Sequence, residues 1–444
     1  MHDPIRILYA AGPGNVIGTF RHWRRGQDDP SQVAITYSGQ FYDVCQQLGA
    51  QAVVVASNEN PGYVRDGQFE ITHRPVPFAH GPGPLYHLAQ IVYNLRLVET
   101  AIRRRVDVAV VCGGTHWFVL QLLDLAGISV VPTLHCVLWH RFQKRRSFIQ
   151  RTLRKLNALF FARNCAAMLS VSDDVSRQVR ELISQAAGDP EAPARPVRSA
   201  PIMPFTPIYR PGAFDMIPPP PESRRPFTVM FAGRVERNKG VFDLLEIARR
   251  LDAAGRTNIE FDLCGDGSVL RELRRAAQKA GLSERFRCHG HCDRRTMFDM
   301  YGRAHVVIAP TTTDFIEGFN KVVVEGVLAG RPVITSSVCP SLGQVRDAVI
   351  EVPPDNVDAY TDAILALCDD PALYAAKREG CAASRARFYD ARYSWASGLR
   401  SILERLQRDT VRFEGRSTKR KASSDSVALM PPGSNMLASG QANR

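Results

Sequence analysis

The stretch DFIEGFNKVVVEGVLAGRPVIT, residues 314–335, decides the fold. It predicts a polar loop, a helix that starts just after Glu317 and ends at Ala329-Gly330, and a buried strand after Pro332. Short apolar strands that alternate with helices in this way are typical of parallel sheets built from βαβ units. The stretch therefore predicts an α/β fold.

Two glutamates in this stretch suggest a ligand site. Glu317 lies at the mouth of the predicted helix, and Glu325 lies about two turns along it. The first turn, with Gly318, Phe319 and Asn320, offers unpaired N–H groups that suit a phosphate. The carboxylates can then accept hydrogen bonds from hydroxyl groups of the same ligand. Taken alone, the pair is explained equally well as an acidic helix that binds nothing.

A second pattern lies upstream, in the loop 233–240 after a predicted strand. Arg234 and Lys239 stand beside glycines at the carboxyl end of that strand. Open α/β sheets bind ligands at this edge, and two cations there can neutralise a diphosphate leaving group. The glycine turn 265–267 follows the next strand and is interpreted as a plain βα turn.

Strand-like runs occur in two series, which predicts two α/β domains. The first series includes residues 5–10, 51–56, 106–112, 130–132 and 168–171, and the second includes 228–232, 259–264, 306–309 and 333–335. Between them, residues 190–226 hold 12 of the 29 prolines, a composition that resists helices and central strands. We therefore predict a first domain over 1–189, an extended linker over 190–226, a second domain over 227–381, a crossover helix over 382–410 and a disordered tail over 411–444.

Composition limits the class of protein. The net charge is +13, of which the tail contributes +4, so the body is only mildly basic. The N-terminus shows no signal-peptide pattern and no apolar run approaches a membrane span, so we expect a cytoplasmic protein. The ten cysteines are scattered and lie mostly in apolar runs, which favours reduced thiols over disulfides.

Together these motifs resemble the retaining GT-B glycosyltransferases of family 4, the group 1 glycosyl transferases. The resemblance covers most of residues 5–408 and is strongest over 231–335, where FAGRVERNKG, LCGDG and the glutamate pair follow in the family's order. It implies two Rossmann-like domains that face each other across a cleft, with the C-terminal helix returning to the first domain. It also implies a UDP- or GDP-linked sugar donor on the second domain, a sugar or lipid-linked acceptor on the first, and no separate cofactor.

The resemblance assigns roles to the residues already singled out. Arg234 and Lys239 would bind the donor diphosphate, Glu317 the sugar hydroxyls and Glu325 the ribose. Backbone groups of the residues just after Glu317 would lie near the sugar and phosphate; these are Gly318, Phe319 and Asn320.

In the first domain the correspondence is looser. Gly12 and Gly14 follow the first strand and resemble the family's glycine loop, although Pro13 separates them. His135 matches a family histidine at a strand end, where it would contact the reacting sugar. By itself, a lone histidine beside an apolar strand is more often structural. His116 is a weaker second candidate.

The sequence CHGHC, residues 288–292, invites a zinc interpretation. We reject it, because alternate residues of a strand face opposite sides and the sequence offers no second ligand pair nearby. The resemblance implies instead that main-chain groups around His291 recognise the nucleotide base. We therefore predict no metal site.

The segment 141–155 contains seven Lys or Arg residues and no acidic residue, interleaved with apolar ones. Such a helix can bind an anionic membrane surface, and a solvated basic face explains it about equally well. No nucleic-acid-binding pattern accompanies it.

We therefore expect a glycosyltransferase that moves a hexose to a hydroxyl of a polysaccharide, a glycolipid or a lipid-linked acceptor. A GT-B sugar-nucleotide epimerase and a non-catalytic nucleotide-sugar-binding subunit are the alternatives. The segment 336–354 departs from the family pattern, which usually continues with Pro-Glu and a glycine.

Overall fold

The computed structural model describes residues 4–77, 83–112, 114, 116–139, 142, 147–187 and 200–409. The tail that the sequence predicts to be disordered, 411–444, lies outside these residues. None of the described helices is long and apolar enough to cross a membrane.

The first domain is built on an eight-stranded sheet. Its strands are β1 (Arg6–Ala10), β2 (Gln51–Ala56), β3 (Gly62–Asp66), β4 (Phe69–His73), β5 (Val108–Cys112), β6 (Ser129–Leu134), β7 (Met168–Ser170) and β8 (Ile202–Pro204). Its helices are α1 (Val16–Arg24), α2 (Tyr37–Leu48), α3 (Pro84–Arg103), α4 (Gln121–Leu125), α5 (Phe148–Arg163) and α6 (Asp173–Ala187). The strand order is β3-β4-β2-β1-β5-β6-β7-β8, and all neighbours are parallel except β3 and β4.

The second domain has a six-stranded, fully parallel sheet of order β11-β10-β9-β12-β13-β14. Its strands are β9 (Phe227–Ala232), β10 (Ile259–Cys264), β11 (Phe286–Gly290), β12 (Val306–Ala309), β13 (Val333–Ser336) and β14 (Val349–Val352). Its helices are α7 (Val241–Ala253), α8 (Leu270–Lys279), α9 (Arg294–Arg303), α10 (Lys321–Leu328), α11 (Val357–Asp369) and α12 (Pro371–Ser384). This order is the doubly wound arrangement of Rossmann-like domains, so the predicted fold class is confirmed.

Burial explains why these segments form strands. Every residue of β9 and of β12 is buried, because helices cover both faces of a parallel sheet. On one face, the apolar stripe of α7 packs with residues of β9 and β10 in a single core cluster. Such near-continuous apolar runs are the signal that located the strands of both series in the sequence.

Two boundaries differ from the prediction. The described part of the proposed linker, from residue 200, is not simply extended: β8 adds to the edge of the first sheet, and Phe205, Tyr209 and Phe214 are buried. The proposed crossover helix is interrupted, because α12 ends at Ser384 and a four-residue helix, α13 (Ala386–Tyr389), and a 3₁₀ turn follow. Residues 395–409 are then helical.

The return to the first domain is made by Trp395. Its indole Nε1 donates to Thr133 Oγ1 at 2.8 Å, and its ring lies 5.5 Å from that of Tyr9. The backbone N–H of Ala396 donates to the Gln40 side chain at 3.0 Å. The segment after the 3₁₀ turn therefore starts against the first domain, as the sequence predicts.

Candidate donor and transfer site

The predicted phosphate-binding loop follows β9, the third strand from the edge of the second sheet. Lys239 ends a 3₁₀ turn just before α7, and Arg234 is exposed two residues after β9. The centre of the Phe315 ring lies 4.0 Å from Lys239 Nζ and 5.4 Å from the Arg234 guanidinium carbon. Both positive charges therefore lie beside one aromatic ring at the carboxyl edge of the sheet.

Lys239 and Glu317 form the ion pair at the centre of the site. Lys239 Nζ lies 2.5 Å from Glu317 Oε2, and the two side chains are 12% and 10% exposed. Thr311 Oγ1 and Asn320 Nδ2 donate to the same carboxylate oxygen at 3.1 and 3.4 Å. The structure thus brings together two residues that lie 78 positions apart and that the sequence assigns to one ligand.

Glycines let these loops approach one another. A Cβ on Gly265, at φ +145°, would lie 1.8 Å from the carbonyl oxygen of Gly233. A Cβ on Gly240, at φ +72°, would lie 2.1 Å from the carbonyl oxygen of Pro310. These positions therefore require glycine for both conformation and space. The turn 265–267, interpreted as a plain turn, thus also packs against the predicted phosphate-binding loop.

The helix after Glu317 starts later than predicted. Asn320 is the N-cap residue and Lys321 the first helical residue of α10. Gly318 pairs instead with Cys136 of the first domain in an isolated antiparallel bridge. Because that backbone bridge holds Gly318 extended, Gly318, Phe319 and Asn320 form the approach to the helix and not its first turn.

Glu325 is more deeply buried than the sequence suggests, at 7% exposure. Its carboxylate accepts hydrogen bonds from the hydroxyls of Tyr209, at 3.3 Å, and Tyr301, at 3.2 Å. Burial raises the pKa of Glu325, while Lys321 and the two tyrosines lower it. The predicted ribose-binding carboxylate therefore lies in a preformed polar cluster.

The sequence reasoning missed three members of that cluster. Tyr209 lies within the proline-rich segment 190–226, Tyr301 lies on α9, and Lys321 is the first residue of α10. Burial lowers the pKa of Lys321, whose Nζ lies 5.7 Å above the ring of Tyr37 in the first domain. Only Lys321, four residues before Glu325, has a signal in the sequence, namely the helical i, i+4 spacing.

His135 follows β6 at the carboxyl edge of the first sheet, as predicted. Its Nε2 lies 3.2 Å from Thr133 Oγ1 and 3.4 Å from Cys112 Sγ, and its ring lies 4.4 Å from that of Tyr37. Burial, reinforced by the positive charge of Lys321, lowers the pKa of His135 to about 3. The imidazole is therefore neutral at physiological pH.

The hydrogen-bond network also indicates the tautomer of His135. Thr133 Oγ1 accepts the indole N–H of Trp395, so its own hydroxyl hydrogen can point to His135 Nε2. Nδ1 then carries the proton. That atom is buried and has no hydrogen-bond partner among the described residues.

In the glycine loop after β1, Gly12 has a left-handed backbone conformation, and the role of the loop in donor binding stays a prediction. Gly12 adopts φ +67°, and neither Gly12 nor Gly14 has a heavy atom within 4 Å of the position of a Cβ. The loop is held by the N–H of Ser57, which donates to Gly12 O at 2.7 Å, and by Asn58 Nδ2, which donates to Pro13 O at 3.0 Å. Open space at both glycines leaves the backbone accessible.

His116 is placed differently from His135. It is 1% exposed, and its Nε2 lies 3.0 Å from Nδ1 of His87. Burial and the neighbouring His87 lower the pKa of His116 to about 4. These contacts favour a structural role for this weaker candidate.

The CHGHC motif divides between β11 and the following loop. His289 Nε2 lies 2.7 Å from Asp262 Oδ1, and Cys292 Sγ contacts Gly290 O at 3.4 Å. Across the part of the chain that the structure describes, no three His, Cys, Asp or Glu side chains are grouped so as to hold a metal ion. His291 is exposed, and its role at the nucleotide base stays a prediction.

The basic segment is described only in part. Ser147 and Gln150 form a capping box at the start of α5. Arg154 is not a solvated charge: it pairs with Glu181 at 2.7 Å and lies 4.0 Å above the ring of Trp139. Arg141, Lys144, Arg145 and Arg146 lie outside the described residues.

Comparisons with known proteins identify the family of the chain. Residues 215–383 match the family model for glycosyl transferases group 1, and residues 40–190 match the model for glycosyltransferase family 4. D-inositol 3-phosphate glycosyltransferase 1 of Catenulispora acidiphila is 32% identical over 188 residues, which are 40% of this chain and 43% of that protein. A 2-deoxystreptamine N-acetyl-D-glucosaminyltransferase of Streptomyces fradiae is 30% identical over 28% of each chain. The matches thus span less than half the length of these curated relatives.

Solved structures share the fold over nearly the whole chain. The α,α-trehalose 6-phosphate synthase of Burkholderia multivorans superimposes with a TM-score of 0.68 at 14% identity, over 92% of this chain and 100% of that one. Anabaena HepE, in complex with UDP and glucose, superimposes with a TM-score of 0.58 at 15% identity, over 91% and 100%. At 14% and 15% identity, these superpositions show that the chain shares the fold of those proteins.

Proposed function

Since this chain belongs to the group 1 glycosyltransferases and has their GT-B fold, we propose that it transfers a hexose from a nucleotide sugar to an acceptor hydroxyl, with retention of anomeric configuration. The Lys239–Glu317 pair, beside Arg234 at the carboxyl edge of the second sheet, is the observation that carries this proposal. In the reaction, the anomeric C–O bond to the diphosphate breaks, a bond to the acceptor oxygen forms, and the proton of the acceptor hydroxyl leaves with the diphosphate.

The two cations act on the leaving group. As the anomeric bond breaks, negative charge grows on the diphosphate, and Arg234 and Lys239 are held where they can meet it without rearrangement. Lys239 is already paired with Glu317, so the incoming diphosphate shares a cation that a carboxylate and an aromatic ring keep in place. Glu317 is then left to accept hydrogen bonds from the sugar hydroxyls.

Two carboxylates in this site do not indicate hydrolysis. A glycosidase requires one carboxyl group as acid and a second as nucleophile or base, on either side of the scissile bond. Here Glu317 is held by Lys239, and Glu325 is buried under two tyrosine hydroxyls. Each Glu325 oxygen retains a lone pair, with which we assign it to the ribose hydroxyls of the donor.

His135 approaches the site from the first domain. The bridge between Cys136 and Gly318 places its backbone beside the residue that follows Glu317. Because the imidazole is neutral, it can donate a hydrogen bond to a sugar oxygen without placing a positive charge next to the developing oxocarbenium ion.

The test of this proposal is a panel of UDP-, GDP- and ADP-sugars incubated with the purified chain. We expect one of them to raise the melting temperature and to be hydrolysed slowly without an acceptor, and its nucleoside diphosphate to compete. Recovery of an epimerised nucleotide sugar would indicate the epimerase alternative. Binding without turnover across a broad set of acceptors would indicate the binding subunit.

We further propose that the enzyme works at the cytoplasmic face of a membrane, on a polysaccharide, glycolipid or lipid-linked acceptor. The support is the basic segment 141–155 together with exposed apolar side chains at the start of α5, where Phe148 is 75% and Ile149 51% exposed. Basic residues beside exposed aromatic ones are the combination that anionic lipid surfaces attract.

A further inference from the structure

A pocket of about 560 Å³ opens in the first domain beside His135, within the size range of small-molecule sites. It is lined by side chains of the loop after β6, of α3 and of α5, together with Ile316 from the second domain. Most of the lining is apolar: Trp117, Leu134, Val137, Leu138, Trp139, Leu153, Phe161, Leu182 and Ile316. We call it the first-domain pocket.

Three nitrogen atoms on its lining side chains are buried and have no hydrogen-bond partner among the residues that the structure describes. They are Trp117 Nε1, His135 Nδ1 and Arg154 Nη1. Trp117 is 2% exposed, so its N–H cannot turn to solvent. A buried donor without a partner costs about 1–3 kcal/mol, and three in one pocket indicate that an oxygen-bearing ligand satisfies them.

The charges of the lining limit the class of ligand further. The described lining contains no Asp or Glu, and its one cation, Arg154, is already neutralised by Glu181. All three unpartnered groups are N–H donors, given the tautomer of His135. The pocket therefore suits a ligand with acceptor oxygens and an apolar body, and its described lining has no carboxylate to pair with an ammonium group.

The apolar lining continues to the surface at one end. Tyr86 and Leu153 line the pocket from the first two turns of α3 and α5. On those same turns Leu85, Leu88 and Phe148 are 45%, 50% and 75% exposed. A long aliphatic chain can thus leave the pocket over exposed apolar side chains at the starts of α3 and α5.

From these observations we propose that the first-domain pocket binds a lipid acceptor: a sugar or polyol head linked through oxygen to an aliphatic chain. The reacting hydroxyl faces His135 and Glu317, the oxygens of the head meet Trp117 and Arg154, and the chain follows α3 and α5. This inference rests on the proposed transfer reaction and names its acceptor class.

The test measures binding of methyl, butyl and octyl β-D-glucopyranoside to the full chain by titration calorimetry, with octyl glucoside kept monomeric. Each methylene buried should tighten binding about fourfold, so the octyl glycoside should bind at least about 100-fold more tightly than the methyl glycoside. D-inositol 3-phosphate and 2-deoxystreptamine serve as probes without an apolar body. Equal affinity for methyl and octyl glycosides, or tighter binding of either polar probe, would overturn the inference.

Paired variants locate the binding. Leu153→Trp fills the pocket and should lower octyl glucoside affinity at least about tenfold, whereas Leu156→Trp, on an exposed position of the same helix, should not. Trp117→Phe removes only the N–H and should weaken binding about fivefold, whereas Trp23→Phe, whose N–H is paired with Asp43 at 2.8 Å, should have no effect. If the pocket variant and its control changed the affinity equally in either pair, the glycoside would bind outside the first-domain pocket.

UDP and GDP binding, measured on the same samples, separates this inference from the proposed function. Chain-length dependence without nucleotide binding would refute the transferase and keep the lipid pocket. Nucleotide binding without chain-length dependence would refute the lipid pocket and leave the proposed transferase function standing. Leu153→Trp should leave nucleotide affinity unchanged, because the donor side chains lie on the second domain.

Discussion

At the scale of single residues, the ion pair between Lys239 and Glu317 orients both side chains before any ligand arrives. An isolated carboxylate at 10% exposure would be costly to bury, and the ammonium group and Thr311 offset that cost. Because both groups are held on loops fixed by glycine contacts, little reorganisation is needed when the diphosphate binds.

Removing either cation should slow transfer. We expect Lys239→Ala and Arg234→Ala each to lower kcat/KM at least about tenfold, roughly 1.4 kcal/mol of transition-state stabilisation, with the fold intact. Arg237→Ala is the matched control, since Arg237 lies in the same loop but pairs with Glu272 at the surface. A folded Lys239→Ala/Arg234→Ala double variant with full turnover would remove both residues from the mechanism.

The neutral His135 makes stability depend on pH. Its pKa in the folded chain, about 3, is below the ordinary value of 6.5, so the unfolded chain binds the extra proton between these values. The contribution of neutral His135 to the free energy of unfolding is complete above about pH 6.5. Below that pH it is lost at about 1.4 kcal/mol per pH unit. His116, with its pKa lowered to about 4, acts in the same direction, and Glu325, with its raised pKa, opposes both.

Urea unfolding followed by tryptophan fluorescence checks this effect in the first domain. Trp23, Trp117 and Trp139 belong to that domain and Trp395 packs against it. Between pH 7 and pH 5, the free energy of unfolding of the unsubstituted chain should fall by about 2 kcal/mol more than that of the His135→Gln variant. His291→Gln, at an exposed position, should lose as much as the unsubstituted chain. Identical losses for His135→Gln would contradict a buried neutral imidazole.

At the scale of elements, the βα turns of the second domain are built from glycines that touch other turns. Gly265→Ala places a methyl group against the carbonyl of Gly233, and we expect a loss of more than about 3 kcal/mol and weaker nucleotide binding. Gly281→Ala is the control: Gly281 also has a positive φ, +71°, but a Cβ there would meet no atom within 4 Å. We therefore expect Gly281→Ala to lower the free energy of unfolding by only about 1–2 kcal/mol. Melting followed by circular dichroism compares them; equal losses would show that φ alone, and not contact, requires glycine at 265.

At the scale of the whole molecule, the proposed reaction needs positive charge at the leaving diphosphate. We assign that charge to Arg234 and Lys239, and the sequence contains no Asp-x-Asp motif that would hold a divalent cation. We therefore expect transfer to survive EDTA. Loss of activity on chelation that Mn²⁺ or Mg²⁺ restores would show that this account of the leaving group is incomplete.

Membrane association is the second prediction at this scale. Binding to vesicles should rise with their anionic lipid content and fall with salt, because exposed charges are screened over about 10 Å at 0.1 M. Replacing Lys144, Arg145 and Arg146 by Ser should weaken vesicle binding and spare nucleotide affinity. Indifference to anionic vesicles at low salt would favour a soluble acceptor, and loss of nucleotide binding would make the segment structural.

The sequence by itself determined the class of fold and the loops that form the donor site. Fully buried strands such as β9 and β12 appear in the sequence as nearly continuous apolar runs. A parallel sheet places the carboxyl ends of these strands at one edge. Arg234, Lys239 and Glu317 could therefore be assigned to one site from local pattern and family order alone.

The tertiary structure alone decided what surrounds those residues. Tyr209 and Tyr301 reach Glu325 from 116 and 24 positions away, and Gly318 is held by Cys136 of the other domain. The start of α10 shifted to Lys321 for that reason, and β8 formed from proline-rich sequence because the edge of the first sheet offered it partners. Contacts between distant segments leave no periodicity in the chain, so neither the polar cluster nor the first-domain pocket could be predicted before folding.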